Sequence, residues 1–271
     1  MTTATAQHVP QGAGVQTLGM LLRTLKLPSF AAYHEEFAAK AEREGWTFPT
    51  FLRTLVELEI SERRARRIER ALKASGLPED KTLSTLQQDR LPTKVRRQLP
   101  ALCEGGFVER AENVLAFGLP GRGKTHLVAA VGHELIKRGF RVLFASAVLL
   151  VQRLLAAKKA LTLERELRTL DGYDAVILDD IGYIQQDREE MEVLFTFLAE
   201  RYERRSVLIT SNLVFSQWDR IFKDPMTTAA AIDRVVHHAL ILEMDGASVR
   251  AEQAQERAAT EKKRKAEEKP E

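Results

Sequence analysis

Between Leu18 and Leu77 the apolar residues recur at helical spacing, as Leu18, Leu21, Leu22 and Leu25 and then Phe51, Leu52, Leu55, Leu58 and Ile68. Such a recurrence lays an apolar stripe along each helix. The stripe is interrupted at Leu27-Pro28, at Trp46 to Pro49 and at Gly76-Leu77-Pro78, which predicts a small all-α N-terminal domain of three or four helices over residues 16–77. After Gly106 the pattern changes to short apolar runs separated by helical stretches, the signature of a parallel sheet with crossover helices. The predicted strands are Val114 to Phe117, Val142 to Ala145, Ala175 to Leu178, Val207 to Thr210 and Ala239 to Leu242. Helices are expected after Gly123, over Val148 to Ala157, over Glu164 to Leu170, and from Arg188 to about Arg204. Asp187 with Glu190 reads as an acidic N-cap and its partner, and Gly139 as a C-cap. The fold class is therefore α/β over 101–250, preceded by a helical domain.

The remaining segments lack such periodicity. Residues 1–15 read as a flexible tail, 78–100 as a polar, basic connector, and 251–271 as a charged, disordered tail. The net charge is only +3, but Ile60 to Arg97 holds eleven Lys or Arg against five acids, whereas Ala101 to Arg250 comes to about −2. A basic region of this kind fits either a nucleic-acid partner or a solvated helix face rich in Arg and Glu. No apolar run approaches the roughly 18 residues needed to span a bilayer, and Met1 to Val15 lack both a basic start and an apolar run. Cys103 is the only cysteine, so no intrachain disulfide or thiolate zinc cluster can form. A cytoplasmic protein with no membrane partner is expected, with Cys103 as a small buried hydrophobe.

The chemistry concentrates in two runs. Gly118-Leu119-Pro120-Gly121-Arg122-Gly123-Lys124-Thr125 matches the G-x-x-x-x-G-K-[ST] phosphate loop at every fixed position, between a predicted strand and a predicted helix. Glycines let the backbone turn with positive φ and bring its N–H groups onto phosphate oxygens. Lys124 is expected on the β- and γ-phosphates, the Thr125 hydroxyl on Mg²⁺, and His126 beside the loop at the helix N-terminus. The second run, Ala175 to Asp180, is an apolar strand that delivers two carboxylates at its C-terminal edge, where ligands of open parallel sheets bind. Asp179 is the expected Mg²⁺ residue, and Asp180 the group that orients or deprotonates the attacking water. ATP and Mg²⁺ are thus the expected ligands.

Other residues are ambiguous alone. Val207 to Asn212 is a buried strand ending in small polar side chains, so Asn212 either sits beside the γ-phosphate or caps a turn. Asp233-Arg234 and Ser248-Val249-Arg250 could be surface pairs. Arg63, Arg64, Arg66 and Arg67 face either solvent or DNA phosphates. His126 and His133, seven apart, and His237-His238 lack the further ligands a metal would need. Trp46 and Trp218 read as core or interface residues.

From Leu18 to Arg250 the chain resembles the IstB-type helper ATPases of insertion-sequence transposons, a branch of the AAA+ ATPases close to DnaC-type helicase loaders. The resembling segments are Leu52 to Glu59 with Glu62 to Glu69, Asn113 to Leu127, Asp179 to Tyr183, Arg201-Tyr202-Glu203, Thr210-Ser211-Asn212 with Trp218, and Ile232-Asp233-Arg234 with His237-His238. The resemblance implies an AAA+ P-loop ATPase with a central parallel sheet behind its small all-α domain. It further implies that Asn212 is the sensor-1 residue, Arg234 an arginine finger offered to a neighbouring subunit, and Arg250 the sensor-2 arginine. Asp180 departs from the Glu of many AAA+ proteins, and Val249 stands where a Tyr is usual. The implied function is a transposition helper that self-associates with ATP on double-stranded DNA, engages its cognate transposase and couples hydrolysis to target selection. A helicase loader and an ATP-switched DNA clamp are the alternatives. A small-molecule kinase is disfavoured, because no Arg-rich lid follows the core.

Overall fold

Each predicted strand is apolar on both of its alternating faces, so each needs cover on both sides. The computed structural model supplies it, describing residues 17–183, 188–213, 217–218 and 225–245. The expected tails, the Asp187 cap and Arg250 lie outside the described residues. No described helix is long and apolar enough to cross a membrane.

The chain divides into two compact units, at Arg67 and Ile68. The first holds α1 (Leu18–Thr24), α2 (Pro28–Glu44) and α3 (Phe48–Ser75) up to Arg67. Pro28 opens α2 where its missing N–H costs nothing, and Gly45 closes it in the left-handed region at φ 66°. The Glu59 carboxylate is only 3% exposed. It accepts the Ser29 N–H at 2.8 Å and the Arg63 Nε–H at 2.7 Å, so that Arg63 neutralises a buried charge.

The second unit begins at Ile68. After α4 (Thr93–Glu104) and α5 (Gly106–Glu109) come β1 (Asn113–Phe117), α6 (Lys124–Arg138), β2 (Val142–Ser146), α7 (Ala147–Lys159) and α8 (Leu163–Asp171). β3 (Ala175–Asp179), α9 (Arg188–Arg201), β4 (Ser206–Ser211), α10 (Pro225–Val236) and β5 (Ala239–Glu243) complete it. The strands form one five-stranded sheet in the order β2-β3-β4-β1-β5, with every pairing parallel. Each expected strand is present within a residue at either end. Alternation splits the core in two. Val114, Ala116, Ala175, Ile177 and Leu208 pack with α4 and α6, whereas Leu115, Phe117, Val176, Leu178, Val207 and Ile209 pack with residues of α7, α9 and α10. Trp218 is fully buried in the second cluster, and Cys103 in the first, where burial pushes its thiol up to about 11.

The stretch from Pro78 to Pro100, expected as a connector, is packed instead. Leu86, Leu91, Val95 and Leu99 all enter the core beside α6. The two histidines of α6 fasten this stretch: a carbonyl can only accept, so His133 Nε2–H donates to Pro78 O at 2.9 Å and His126 Nε2–H to Thr82 O at 3.2 Å. Their seven-residue spacing serves that seam rather than a metal.

Two buried polar side chains lock the helix ends to the sheet. The Arg201 guanidinium donates to the carbonyls of Leu170, Tyr173 and Ser206 at 3.0 Å each. Burial pulls it down to about 10, so it remains charged at neutral pH. Asn113 donates through Nδ2 to Val235 O at 3.0 Å and accepts the Val207 N–H at 2.9 Å, joining α10 to β4 across the start of β1. Asn113→Ala leaves both backbone groups buried without that partner, at about 1–3 kcal/mol each. Urea unfolding should show a loss of about 2–6 kcal/mol by the same reckoning; a loss below about 0.5 kcal/mol would mean that the two groups find other partners.

Candidate functional site

The strand order fixes where a ligand can sit. From β1 the chain runs to β2 at the far edge of the sheet, while from β4 it runs to β5 on the other side of β1. Such a switch opens a crevice at the carboxyl ends of the strands. Into it open the loop after β1, Asp180 just after β3, and Asn212 just after β4.

Gly121 and Gly123 have φ of 80° and 82°, and α6 starts directly afterwards at Lys124. These left-handed turns point successive N–H groups to the concave side and place a helix N-terminus behind them. At Gly118, where φ is 150°, a Cβ would lie 2.5 Å from Met244 O, so the end of β5 leaves no room for a side chain. Lys124 is 5% exposed. Its Nζ donates to Gly118 O at 2.6 Å and Leu119 O at 3.0 Å, which holds the ammonium inside the loop. Pro120, Gly121, Arg122, Gly123, Lys124, Thr125 and His126 all line a cavity of about 300 Å³. Lys81, Thr85 and Arg90, from the packed stretch before α4, line it too, together with Asp180, Asn212 and Asp245.

The carboxylates are held by a residue that motif reading passed over. Thr210, fully buried on β4, donates its hydroxyl to Asp179 Oδ1 at 2.7 Å. The Thr210 hydroxyl oxygen in turn accepts the Asp180 N–H at 2.8 Å. Asp180 has φ 58°, a conformation an L-residue rarely adopts and one that clusters at functional sites. A single hydroxyl therefore orients the first carboxylate and holds the backbone of the second. The polar residue ending an apolar strand was the available signal, but its partners lie thirty and thirty-one positions away. Asn212, two residues on, is packed against Gly182, where an added Cβ would stand 2.1 Å from Asn212 Oδ1. Any larger residue at 182 would push Asn212 out of place.

The remaining expected residues are dispersed. Arg234 is not among the described residues lining the cavity; it lies on α10, half-buried, with its guanidinium 4.8 Å from the centre of the Phe195 ring on α9. Arg250 lies outside the described residues. Arg63, Arg64, Arg66 and Arg67 are exposed on α3 in the first unit, with Arg63 and Arg66 drawn to Glu59.

Comparison with known proteins identifies the family and the fold. The model of the IstB-like ATP binding protein family matches residues 20–257. An insertion-sequence ATP-binding protein of Sinorhizobium fredii, y4iQ/y4nD/y4sD, is 45% identical over 88% of this chain and 80% of its own length. The insertion sequence IS21 ATP-binding protein of Pseudomonas aeruginosa is 37% identical over 86% of this chain and 88% of its own. The crystal structure of DnaI superposes with a TM-score of 0.53 at 22% identity, over 63% of this chain and 96% of that one. The fold is that of the AAA+ P-loop ATPases, and the chain belongs to the IstB-like ATP binding protein family of insertion sequences.

Proposed function

We propose that this chain is an ATP-hydrolysing transposition helper that assembles on double-stranded DNA, engages a cognate transposase and couples hydrolysis to target selection. The observation that carries the reading is the convergence of Lys124, the Asp179–Thr210–Asp180 linkage and Asn212 at one edge of the sheet, in a chain whose relatives belong to insertion sequences. Those relatives favour transposition over helicase loading.

In this reading the loop N–H groups from Gly121 to Thr125 cradle the phosphates. Lys124 exchanges its two loop carbonyls for β- and γ-phosphate oxygens. The Thr125 hydroxyl and Asp179 are hard oxygen donors suited to Mg²⁺, which when bound neutralises charge on the same oxygens. Asp180 orients the attacking water and accepts its proton, and its fixed backbone keeps the carboxylate at one distance from the loop. Asn212, with Oδ1 packed on Gly182, has its Nδ2–H₂ left to donate to a γ-phosphoryl oxygen. Arg234, away from its own subunit's cavity, acts on the neighbour's, and Arg250 contributes as a second sensor. Arg64 and Arg67, with Arg63 and Arg66 partly committed to Glu59, meet the DNA phosphates.

Turnover should then rise with protein concentration and with duplex DNA. Lys124→Ala should abolish both ATPase activity and ATP-dependent binding to a fluorescent duplex while the circular dichroism spectrum is kept. Arg234→Ala should bind ATP yet hydrolyse it about 10³-fold more slowly or worse. Mixing the two variants should restore part of the activity, since some interfaces then pair an intact loop with an intact finger. No recovery despite co-assembly would make Arg234 a cis or structural residue, and normal turnover by Lys124→Ala would remove the catalytic reading.

Thr210 gives a separate test. Thr210→Val keeps the shape and deletes the hydroxyl; loss of a partner that orients a metal ligand typically costs about 10–100-fold. We expect kcat to fall by that order, with more Mg²⁺ needed for half-maximal rate, and Thr210→Ser to recover most of it. Parent-like kinetics in Thr210→Val would show that the two hydrogen bonds do not set the carboxylates.

A further inference from the structure

His237 and His238 follow the last turn of α10 and lead into β5, and sequence alone offers them no third ligand. The fold supplies one. Glu203, at the end of α9, is brought beside them, and one ligand atom from each of the three lies within 4.8 Å of the others. His238 Nε2 is 3.6 Å from Glu203 Oε1, and the two imidazole centres are 4.2 Å apart. The Tyr202 hydroxyl lies 2.9 Å from His237 Nδ1. With the proton on Nδ1 donated to that hydroxyl, the Nε2 lone pair of His237 is the one left for a ligand. Outer partners of metal-bound histidines do this same work.

Both halves of the cluster rest on rigid backbone. The Asn113 N–H donates to His238 O at 2.7 Å, and the His237 N–H donates to Asp233 O at 2.9 Å. On the other side, the N–H groups of Arg204 and Arg205 both donate to Arg201 O at 3.0 Å, above the buried guanidinium of the same residue. Glu203 itself has φ 56°, an unfavourable conformation for a residue with a side chain, and it turns the chain back towards the histidines. None of these groups belongs to the nucleotide cavity.

We propose that Glu203, His237 and His238 form a surface site for a divalent transition-metal ion of the zinc class, with Tyr202 as the residue that positions His237. Two imidazoles and a carboxylate are a donor set that zinc takes, with water completing the shell, whereas Mg²⁺ prefers oxygen alone. Bond lengths of about 2.0–2.2 Å need ligand atoms about 3.3 Å apart. The three exposed side chains reach that spacing by small rotations over a fixed backbone. Other charges stand close: Glu112, paired with Arg110, lies within electrostatic range of His238, and Asp233 and Arg234 lie within range of Tyr202. A bound ion would tie the end of α9 to the end of α10, the helix that carries Arg234.

The test titrates Zn²⁺ into the full chain, stripped of metal and kept in excess Mg²⁺ so that the phosphate-loop carboxylates are already served. Binding is read by competition with a chromophoric chelator, and by the visible spectrum of Co²⁺ in place of Zn²⁺. One ion per chain is expected. His237→Ala/His238→Ala should lose it, Glu203→Gln should weaken it, and Tyr202→Phe, which keeps every ligand, should weaken it by about 10-fold or more. Retention of MgATP binding by each variant shows that the fold is intact. Absence of Zn²⁺ binding by the parent chain would overturn the proposal and leave His238 and Glu203 as a surface polar pair. Undiminished binding by the double variant would overturn it as well, placing the ion elsewhere.

Discussion

The parallel pairing of β1 with β4, and of β4 with β3, is the constraint on which the rest depends. Because all strands run the same way, whatever follows β1, β3 and β4 must emerge at one edge. The register places Phe117 opposite Ser211, so the phosphate loop starts level with the polar end of β4. Thr210 then converts proximity into geometry. Its buried hydroxyl ties the end of β4 to the Asp179 carboxylate that ends β3 and to the backbone N–H of Asp180 just after it. Buried hydrogen bonds to a carboxylate are stronger than neutral ones and cost more to break.

The same device, a buried polar side chain bridging segments distant in sequence, recurs away from the edge. Asn113 joins α10 to β4, Arg201 gathers carbonyls from the ends of α8 and β4, and Glu59 ties the start of α2 to α3. Asn113 and Arg201 bond backbone groups and so fix the chain path, whereas Glu59 divides its oxygens between the Ser29 N–H and the Arg63 guanidinium. For α10 this means that Arg234 is carried by a helix whose end is anchored, with Phe195 under its guanidinium. In the trans role proposed for Arg234 such anchoring would help, because less freedom would be lost when an interface forms.

What could be read from the sequence was local. The strands were legible because five-residue apolar runs have few other uses, and the phosphate loop because its glycines and lysine are contiguous. Lys124, Asp180 and Asn212 do line one cavity. Thr210 was quoted as one polar residue among three, since nothing nearby reveals a hydroxyl bound to two aspartates from another strand. The stretch from Pro78 to Pro100 reads as a connector because its apolar residues are spaced among prolines and charges. Only the α6 surface, with His126 and His133 as fasteners, makes Leu86, Leu91 and Val95 core. Glu203 and the histidine pair were invisible as a group for the same reason, being more than thirty residues apart.

The central claim is that three strand ends form one nucleotide site, and backbone hydrogen–deuterium exchange on the full chain reads it directly. With Mg²⁺ and a non-hydrolysable ATP analogue, exchange should slow together in the phosphate loop from Gly118 to His126, at Asp179 to Gly182, and at Thr210 to Leu213. Slowing confined to the loop, or absent from it, would contradict the account.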